Sequence, residues 1–559
     1  MVSVTSGHNS CRLWHWGCYF DLSIEPKNAS SWPVGKLDDS WKHDGRSTHS
    51  LPIICGLQAD SMTQQKSAKW VTTSMLAAVV AIALYNAYPG LTDEIWQDEA
   101  FTLLRYASGG FWQPFTIYIE PNNHPLFSAL LSLWLGLVGQ NAGENLLRLL
   151  PLGFFLVAVP ATFFAGRRLH GTACGLIAAL QLAASTVSAN HATQLRGYAV
   201  SWLPFALMLW CALNINSPQA NRWRLGYALS AVFAVAVLPS NLFFSLIVAA
   251  AVSVFHLASG MAWNRRNLIG TAILFGSPCF GMLAYAAIWR DVIAAASVDW
   301  SGWNRRILFA QWVISTSAEF TIIPVLAMGG FLFALLRALR PNVGQPSTAP
   351  YALFALVLPL GMLGLIAGLT QPPFPRTLVP ILPVWYCLIG MLAAIAIERM
   401  WQRAPRHAVI ALCASGLIAA LATAYALRTQ PCGGIAPRSG EPEQWDLCYQ
   451  YFRHDYHPAR ALAAIDRLQA VAPRPVVAHF EGWWPLVRLA QGRYSIMHYR
   501  MEFLPIRKML GDRMPLSFYP IIVANGDKQF RMMTSYLSLD ASRYQLVDDG
   551  GHFKVYTVR

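Results

Sequence analysis

Charge is scarce in this chain of 559 residues, where Asp, Glu, Lys and Arg together make up 13%. A soluble globular protein carries about twice that fraction, so the chain as a whole is not one. Cysteine is equally uninformative, because the ten cysteines include no C-x-x-C pair and no His/Cys spacing that would hold a metal. Cys174, Cys211 and Cys279 lie in apolar runs and read as small hydrophobes. No internal repeat is visible, which argues against the inverted halves of a secondary transporter. No low-complexity tract is visible either.

What the chain has instead is apolar length. Hydrophobic residues make up 55% and mean hydropathy is +0.37. Runs of about 20 apolar residues recur, the signature of a polytopic membrane protein. The net charge of +14 would point to nucleic acid in a soluble chain. Here the basic residues fall in short loops between apolar runs, where they set orientation, and no nucleic acid is expected as a partner.

Residues 1 to about 61 mix polar and aromatic residues without periodicity or a signal-peptide core. They read as a disordered cytoplasmic segment, 1–65, or as sequence upstream of a natural start at Met62. A first span over about 71–88 has Lys66 and Lys69 before it and Asp93, Glu94, Asp98 and Glu99 after it. Positive-inside bias puts the N-terminus in the cytoplasm and the acidic loop outside. The next apolar segment, Leu126 to Val138, is too short to cross. As an interfacial helix it leaves Arg167 and Arg168, Arg222 and Arg224, Arg265 and Arg266, Arg337 and Arg340, and Arg399, Arg403 and Arg406 all inside.

Further spans then fall near 146–165, 174–190, 198–214, 225–240, 241–259, 268–289, 319–337, 351–369, 378–397 and 408–427. The expected fold is an all-α polytopic membrane protein of about eleven helices, covering residues 66–427. Arg305 and Arg306 dissent by landing outside: either they bind an acidic group there, or the span count errs locally around Ile307 to Ile314, which would then be a second interfacial helix. The tail, 428–559, is richer in charge and alternates strand-like runs (PVVAHF, YSIMHY, YPIIVA, HFKVYTV) with helical ones (RALAAIDRLQAV, QFRMMTSYL). It is expected to form a small extracytoplasmic α/β domain with a packing or acceptor-docking role. A disulfide between Cys432 and Cys448 is compatible with that compartment.

Ionisable groups beside a bilayer are costly to desolvate and mark sites more often than loops in water do. At the outer ends of the spans stand Asp98, Glu99, Arg105, Glu120, Asn122, Asn123, His124, Glu144 and Arg148. His191, Gln194, Arg196 and Tyr198 follow in the turn NHATQLRGY, and Arg376 in QPPFPRTLVP. Asp98 and Glu99 read either as solvated charges at a helix N-terminus or as a general base with a partner that orients a ligand or an ion. His124, next to Pro125, is a cap and turn residue, a base or a metal ligand. Arg148 is a ligand group or an anchor that snorkels to the interface. The prolines around Arg376 make a rigid turn that suits a phosphate.

In order and spacing, DEAFT at 98–102, NNHPLF at 122–127, LLRLLP at 146–151, FFAGRRLHG at 163–171, ATQLRGYAVSWLPFALMLW at 192–210 and FPRTLVPILP at 374–383 resemble the integral-membrane glycosyltransferases of the C-type fold. That group includes protein O-mannosyltransferases, the aminoarabinose transferase of lipid A and the galacturonic acid transferases of lipopolysaccharide core. The resemblance covers roughly residues 70–400. It implies a bacterial inner-membrane enzyme that takes a sugar from a polyprenyl-phosphate donor to a hydroxyl of an envelope glycan, lipid or protein. It also implies Asp98 as base and Glu99 as its partner in positioning ligand or metal, with Arg196 and Arg376 on the donor phosphate. Arg105, Asn123, His124, Arg148 and Tyr198 would line the substrate site. No cofactor is certain, and a divalent metal at Asp98 and Glu99 stays open. NNHPLF carries Leu where many relatives have a second proline, which bears on the geometry of His124. The rival reading is a multi-pass transporter or flippase of a lipid-linked substrate.

Overall fold

The computed structural model describes residues 53–118, 123–262, 264–296, 322–339, 347–368, 375–403, 457–510, 515, 518–550 and 552–559. Glu120, Asn122, the 305–314 stretch, the 408–427 span and the Cys432/Cys448 pair lie outside them. The chain divides at Lys66 and Ser67 into two units. Of the first, only the start of helix α1, Ile53–Leu91, is described.

A short helix α2, Gln97–Phe101, continues into a π-turn, Thr102–Ala107. Then come α3, Pro125–Val138, α4, Glu144–Leu147, α5, Leu149–Ala184, α6, Thr186–Ala192, and α7, Gly197–Leu213. The bundle continues with α8, Ala220–Val237, α9, Asn241–Ala258, α10, Arg265–Gly281, and α11, Trp289–Ala296. It ends with α12, Ile322–Leu339, α13, Ala349–Gly368, and α14, Leu382–Arg403.

Apolar sequence with every backbone group bonded inside the helix is what a bilayer tolerates. The packing separates lipid-facing helices from central ones. In α1 only 17% of the most apolar window is buried, whereas the window over Arg376–Gln402 is 100% buried. Trp70 and Tyr88, both exposed, stand at opposite ends of α1 roughly 27 Å apart by helical rise. That spacing matches aromatic anchors at two membrane interfaces. The chain is an integral membrane protein.

Among the described residues, six helices are long and apolar enough to cross, or seven if α6 and α7, bent by 115°, count as one span. Eleven crossings are therefore not confirmed. Two reasons are physical. Helix α5 contains two of the expected spans, joined at His170 and at Gly171, whose φ of +82° favours glycine. Helix α8 carries Arg222 and Arg224 in its opening turns, which dilutes its hydropathy. The short segment after the acidic loop is the 14-residue helix α3, as its length required.

The two halves of α5 fold back closely, since a Cβ on Gly175 would lie 2.5 Å from the Phe163 carbonyl. Helix α14 packs on both halves, with the Cys174 thiol on the Cys387 carbonyl and the Cys387 thiol on that of Thr162, each at 3.6 Å.

The tail forms a five-stranded sheet in the order β2-β1-β3-β5-β4. Its strands are β1, Val476–Ala478, β2, Ile496–His498, β3, Ile521–Ala524, β4, Tyr544–Gly550, and β5, Phe553–Val558. The first three run parallel, and β5 is antiparallel to both of its neighbours, β3 and β4. Helices α15, Pro458–Val471, α16, Phe480–Ala490, α17, Leu504–Leu510, and α18, Asp527–Tyr536, accompany it. Alternate strand residues face two cores: Val476, Ala478 and Val523 join Leu462 and Leu486, while Val477, Ile522 and Tyr556 join Phe530 and Met533. Burial on both faces accounts for the unbroken apolar runs VVA and IIVA. The four strands and two helices read from sequence are present. Strand β4 and helices α16 and α17 are additional; β4 is an edge with a bulge at Leu546/Asp548, and Gly482 and Pro485 break the helical sequence pattern of α16.

Candidate active site

Asp98 and Glu99 occupy the single turn of α2, and their side chains part at once. The Trp96 N–H donates to Glu99 Oε2 at 2.9 Å and the Leu195 N–H donates to Glu99 Oε1 at 2.9 Å. Arg148 Nη2 completes the set at 2.8 Å, with Arg148 and Glu99 exposed by only 0% and 2%. Arg148 also donates to the carbonyls of Gly90, Asp93 and Glu94, tying the end of α1 to the acidic loop. Arg148 is therefore a buried brace and not a snorkelling anchor.

Asp98 faces a different partner set. Its Oδ2 accepts from Arg196 Nη1 at 2.6 Å and lies 3.4 Å from Arg376 Nη2. Asp98 and Arg376 retain 18% and 15% exposure, so this pair borders an opening that Glu99 does not reach. Arg196 sits immediately before α7. Arg376 opens a 3-10 turn, Pro375–Ile381, which is anchored where Trp202 Nε1 donates to the Val379 carbonyl at 2.9 Å. Three segments distant in sequence thus meet at one carboxylate.

His124 joins them through the backbone. Its Nδ1 accepts from the Gly197 N–H at 2.9 Å, which places the ring proton on Nε2. That Nε2 is buried with no partner among the described residues. Burial first, then Arg196 and Arg376, hold His124 well below the usual imidazole range, so it is a neutral donor. Glycine at 197 is needed for this approach, because a Cβ there would lie 2.6 Å from His124 Nδ1. The Tyr198 ring is met edge-on by His124 at 5.0 Å and by His191 at 5.5 Å, with the Arg196 guanidinium 5.0 Å from its centre.

Asn123 is buried and donates to the carbonyls of Pro114 and Ile117 at 2.8 and 3.0 Å, holding the loop that delivers His124. Arg105 is exposed on the π-turn, and among the described residues no bond joins its guanidinium to this cluster. Asp93, beside Arg148, is pushed up to about 7 by burial, against the pull of Arg148.

A metal fits poorly here. Both oxygens of Glu99 are engaged by N–H donors, and Asp98 Oδ2 faces two guanidiniums, so a divalent cation would have to displace like charge. No group of three or more His, Cys, Asp or Glu side chains gathers at metal-holding distances among the described residues.

Sequence reasoning missed how the tail meets this loop. Trp484 of α16 packs edge-on against Phe101 of α2 at 4.8 Å. Arg488 donates to the carbonyls of Gln140 and Ala142 and lies 3.6 Å from Glu144. Glu94 accepts from the Ala459 N–H at 2.7 Å and faces His457 at 3.2 Å. The one signal was the acidic run itself, where Glu94 caps the N-terminus of α15 from over 360 residues away.

The architecture decides the comparison. Among solved structures the chain matches ArnT from Cupriavidus metallidurans in the apo state, with a TM-score of 0.52 and 14% identity over 88% of this chain and 98% of that one. The chain has the C-type fold of ArnT. ArnT bound to undecaprenyl phosphate matches with a TM-score of 0.53, at the same identity and coverage. The archaeal oligosaccharyltransferase AglB from Archaeoglobus fulgidus, in complex with an inhibitory peptide and a dolichol-phosphate, matches at 0.48 and 11% identity over 87% of this chain and 74% of that one. No family model matches the chain, and no curated protein matches it by sequence.

Proposed function

We propose that the protein is a membrane glycosyltransferase that moves a sugar from a polyprenyl-phosphate donor to a hydroxyl acceptor on the outer face of the membrane. One observation carries the reading. In the fold of ArnT, which has been solved with undecaprenyl phosphate, a partly exposed carboxylate stands between Arg196 and Arg376.

The acceptor oxygen attacks the anomeric carbon, its proton passes to Asp98, and the carbon–phosphate oxygen bond breaks with the electron pair leaving on the phosphate. The products are the glycosylated acceptor and the polyprenyl phosphate. A phosphate leaves without needing a proton, so one base and two cations suffice. The incoming phosphate competes with Asp98 for the two guanidiniums, and their transfer to it frees the carboxylate to take the proton. The neutral His124 Nε2–H offers a further donor to the ligand. Glu99 and Arg148 hold the frame, and the tail from residue 428 holds α2 through Trp484. Residues 66–427 would form the transferase body, with the N-terminus cytoplasmic and the tail extracytoplasmic.

The test is incubation of the purified full chain with a panel of polyprenyl-phosphate sugars and envelope acceptors, following release of polyprenyl phosphate. Release with one donor and sugar appearing on the acceptor is the expected result. If no member of the panel is bound or consumed, the reading is wrong and transport of a lipid-linked substrate becomes the next assay.

A further inference from the structure

The far end of the bundle holds a second concentration of charge that the proposed reaction does not use. Helix α7 starts beside Asp98 and ends at Leu213, a rise of roughly 25 Å. There the turn into α8 and the start of α10 border an open surface cavity of about 470 Å³, lined by Pro218, Gln219, Asn221, Arg222, Arg224 and Arg266. A neighbouring cavity of about 380 Å³, bordered by Asn216, His256 and Asn264, shares Arg266 with it.

Neither lining contains a carboxylate. Arg222, Arg224 and Arg266 form no ion pair among the described residues. The guanidiniums are held in place all the same. Arg224 donates to the Arg266 carbonyl at 2.6 Å, Arg266 donates to the Ser217 carbonyl, and Arg222 lies 4.7 Å over the Trp223 ring. Arg224 Nε, Asn216 Oδ1 and Ser217 Oγ are buried with no partner among the described residues. Helix α8 starts here, and its Gln219 N-cap makes no side-chain bond, so the positive end of the helix dipole adds to the same field.

Orientation by positive charge explains why arginines lie on this side of the bundle. It does not explain why three are braced around one cavity without a counter-charge, an arrangement whose mutual repulsion an anion removes. Planar guanidiniums suit an anion with several oxygens.

We propose that this cavity binds a phosphate anion, either the headgroup phosphate of an anionic membrane lipid or a free phosphate. Basic pockets between helices at a membrane interface take such headgroups. The site stands independently of the glycosyltransferase reading.

The test places the full-length protein in nanodiscs of phosphatidylcholine, of phosphatidylcholine with phosphatidylglycerol, and of phosphatidylcholine with inorganic phosphate in the buffer. Thermal unfolding and native mass spectrometry of retained lipid are the readouts. The wild type is expected to be stabilised by at least one of the two anions. Stabilisation by phosphatidylglycerol alone identifies a lipid source, and stabilisation by inorganic phosphate identifies a soluble one. Arg222→Gln, which loses only a ring contact, should weaken the effect about 5-fold. Adding Arg266→Gln should weaken it about 25-fold if the two act independently. Arg265→Gln, outside both linings, should stay within about 2-fold of wild type, since a screened surface charge contributes little. No stabilisation by either anion, or equal losses from Arg222→Gln and Arg265→Gln, would overturn the proposal.

Discussion

Asp98 and Glu99 are adjacent in sequence and share a charge, yet the fold gives them opposite settings. Glu99 is sealed, with both oxygens taken by two backbone N–H groups and Arg148. Asp98 sits at an opening between two arginines brought from two other loops. A paired acid in a sequence is thus not a pair of equivalent catalysts. One holds the acidic loop to the bundle so that the other can be presented.

Removing each acid should break different properties. Glu99→Ala leaves the Arg148 guanidinium buried without its counter-charge, a loss on the order of 3–5 kcal/mol. It is expected as a large fall in the thermal midpoint and in the yield of folded protein. Asp98→Asn, which keeps an acceptor for the buried Arg196 but removes its counter-charge, should lower the midpoint less than Glu99→Ala does and lower transfer by roughly 10²- to 10⁴-fold.

A third test uses Asp93, which lies between the two settings. Its folded value of about 7 stands above the ordinary carboxylate value, so the folded chain holds that proton more tightly than the unfolded chain. Its contribution to stability is present at low pH and is lost as pH rises from about 4 to 7. Asp93→Asn should flatten that part of the pH–stability profile and stabilise the protein at pH 8 relative to wild type.

The smallest effect should come from Glu94, which reaches the N-terminus of α15 from the acidic loop. Glu94→Ala is expected to cost about 1 kcal/mol, in the range of a lost helix cap. Faster proteolysis of the tail, with the bundle intact, would report it.

Much of this site was legible in the sequence because it lies at the ends of apolar runs, where a charge needs a reason. Asp98, Arg196, Arg376 and His124 were all named on that ground, and the short length of α3 followed from counting residues. The partition between Asp98 and Glu99 was not legible, since it depends on the Leu195 N–H and Arg148 reaching Glu99, and Arg196 and Arg376 reaching Asp98, from distant parts of the chain. Arg148 reads from sequence as a substrate ligand or an interfacial anchor, because burial by the end of α1 has no local signature. The clamp by the tail was hidden for the same reason. Trp484 and Arg488 sit in a helix that Gly482 and Pro485 disguise, and their partners lie some 350 residues earlier.

The central claim is that Asp98 takes the acceptor proton while Arg196 and Arg376 hold the donor phosphate. Its most direct test measures donor binding and sugar transfer side by side for wild type, Asp98→Asn and Arg376→Ala at matched folding. The account expects Asp98→Asn to bind the polyprenyl-phosphate sugar and fail to transfer it, and Arg376→Ala to lose binding. Transfer by Asp98→Asn at the wild-type rate would contradict it.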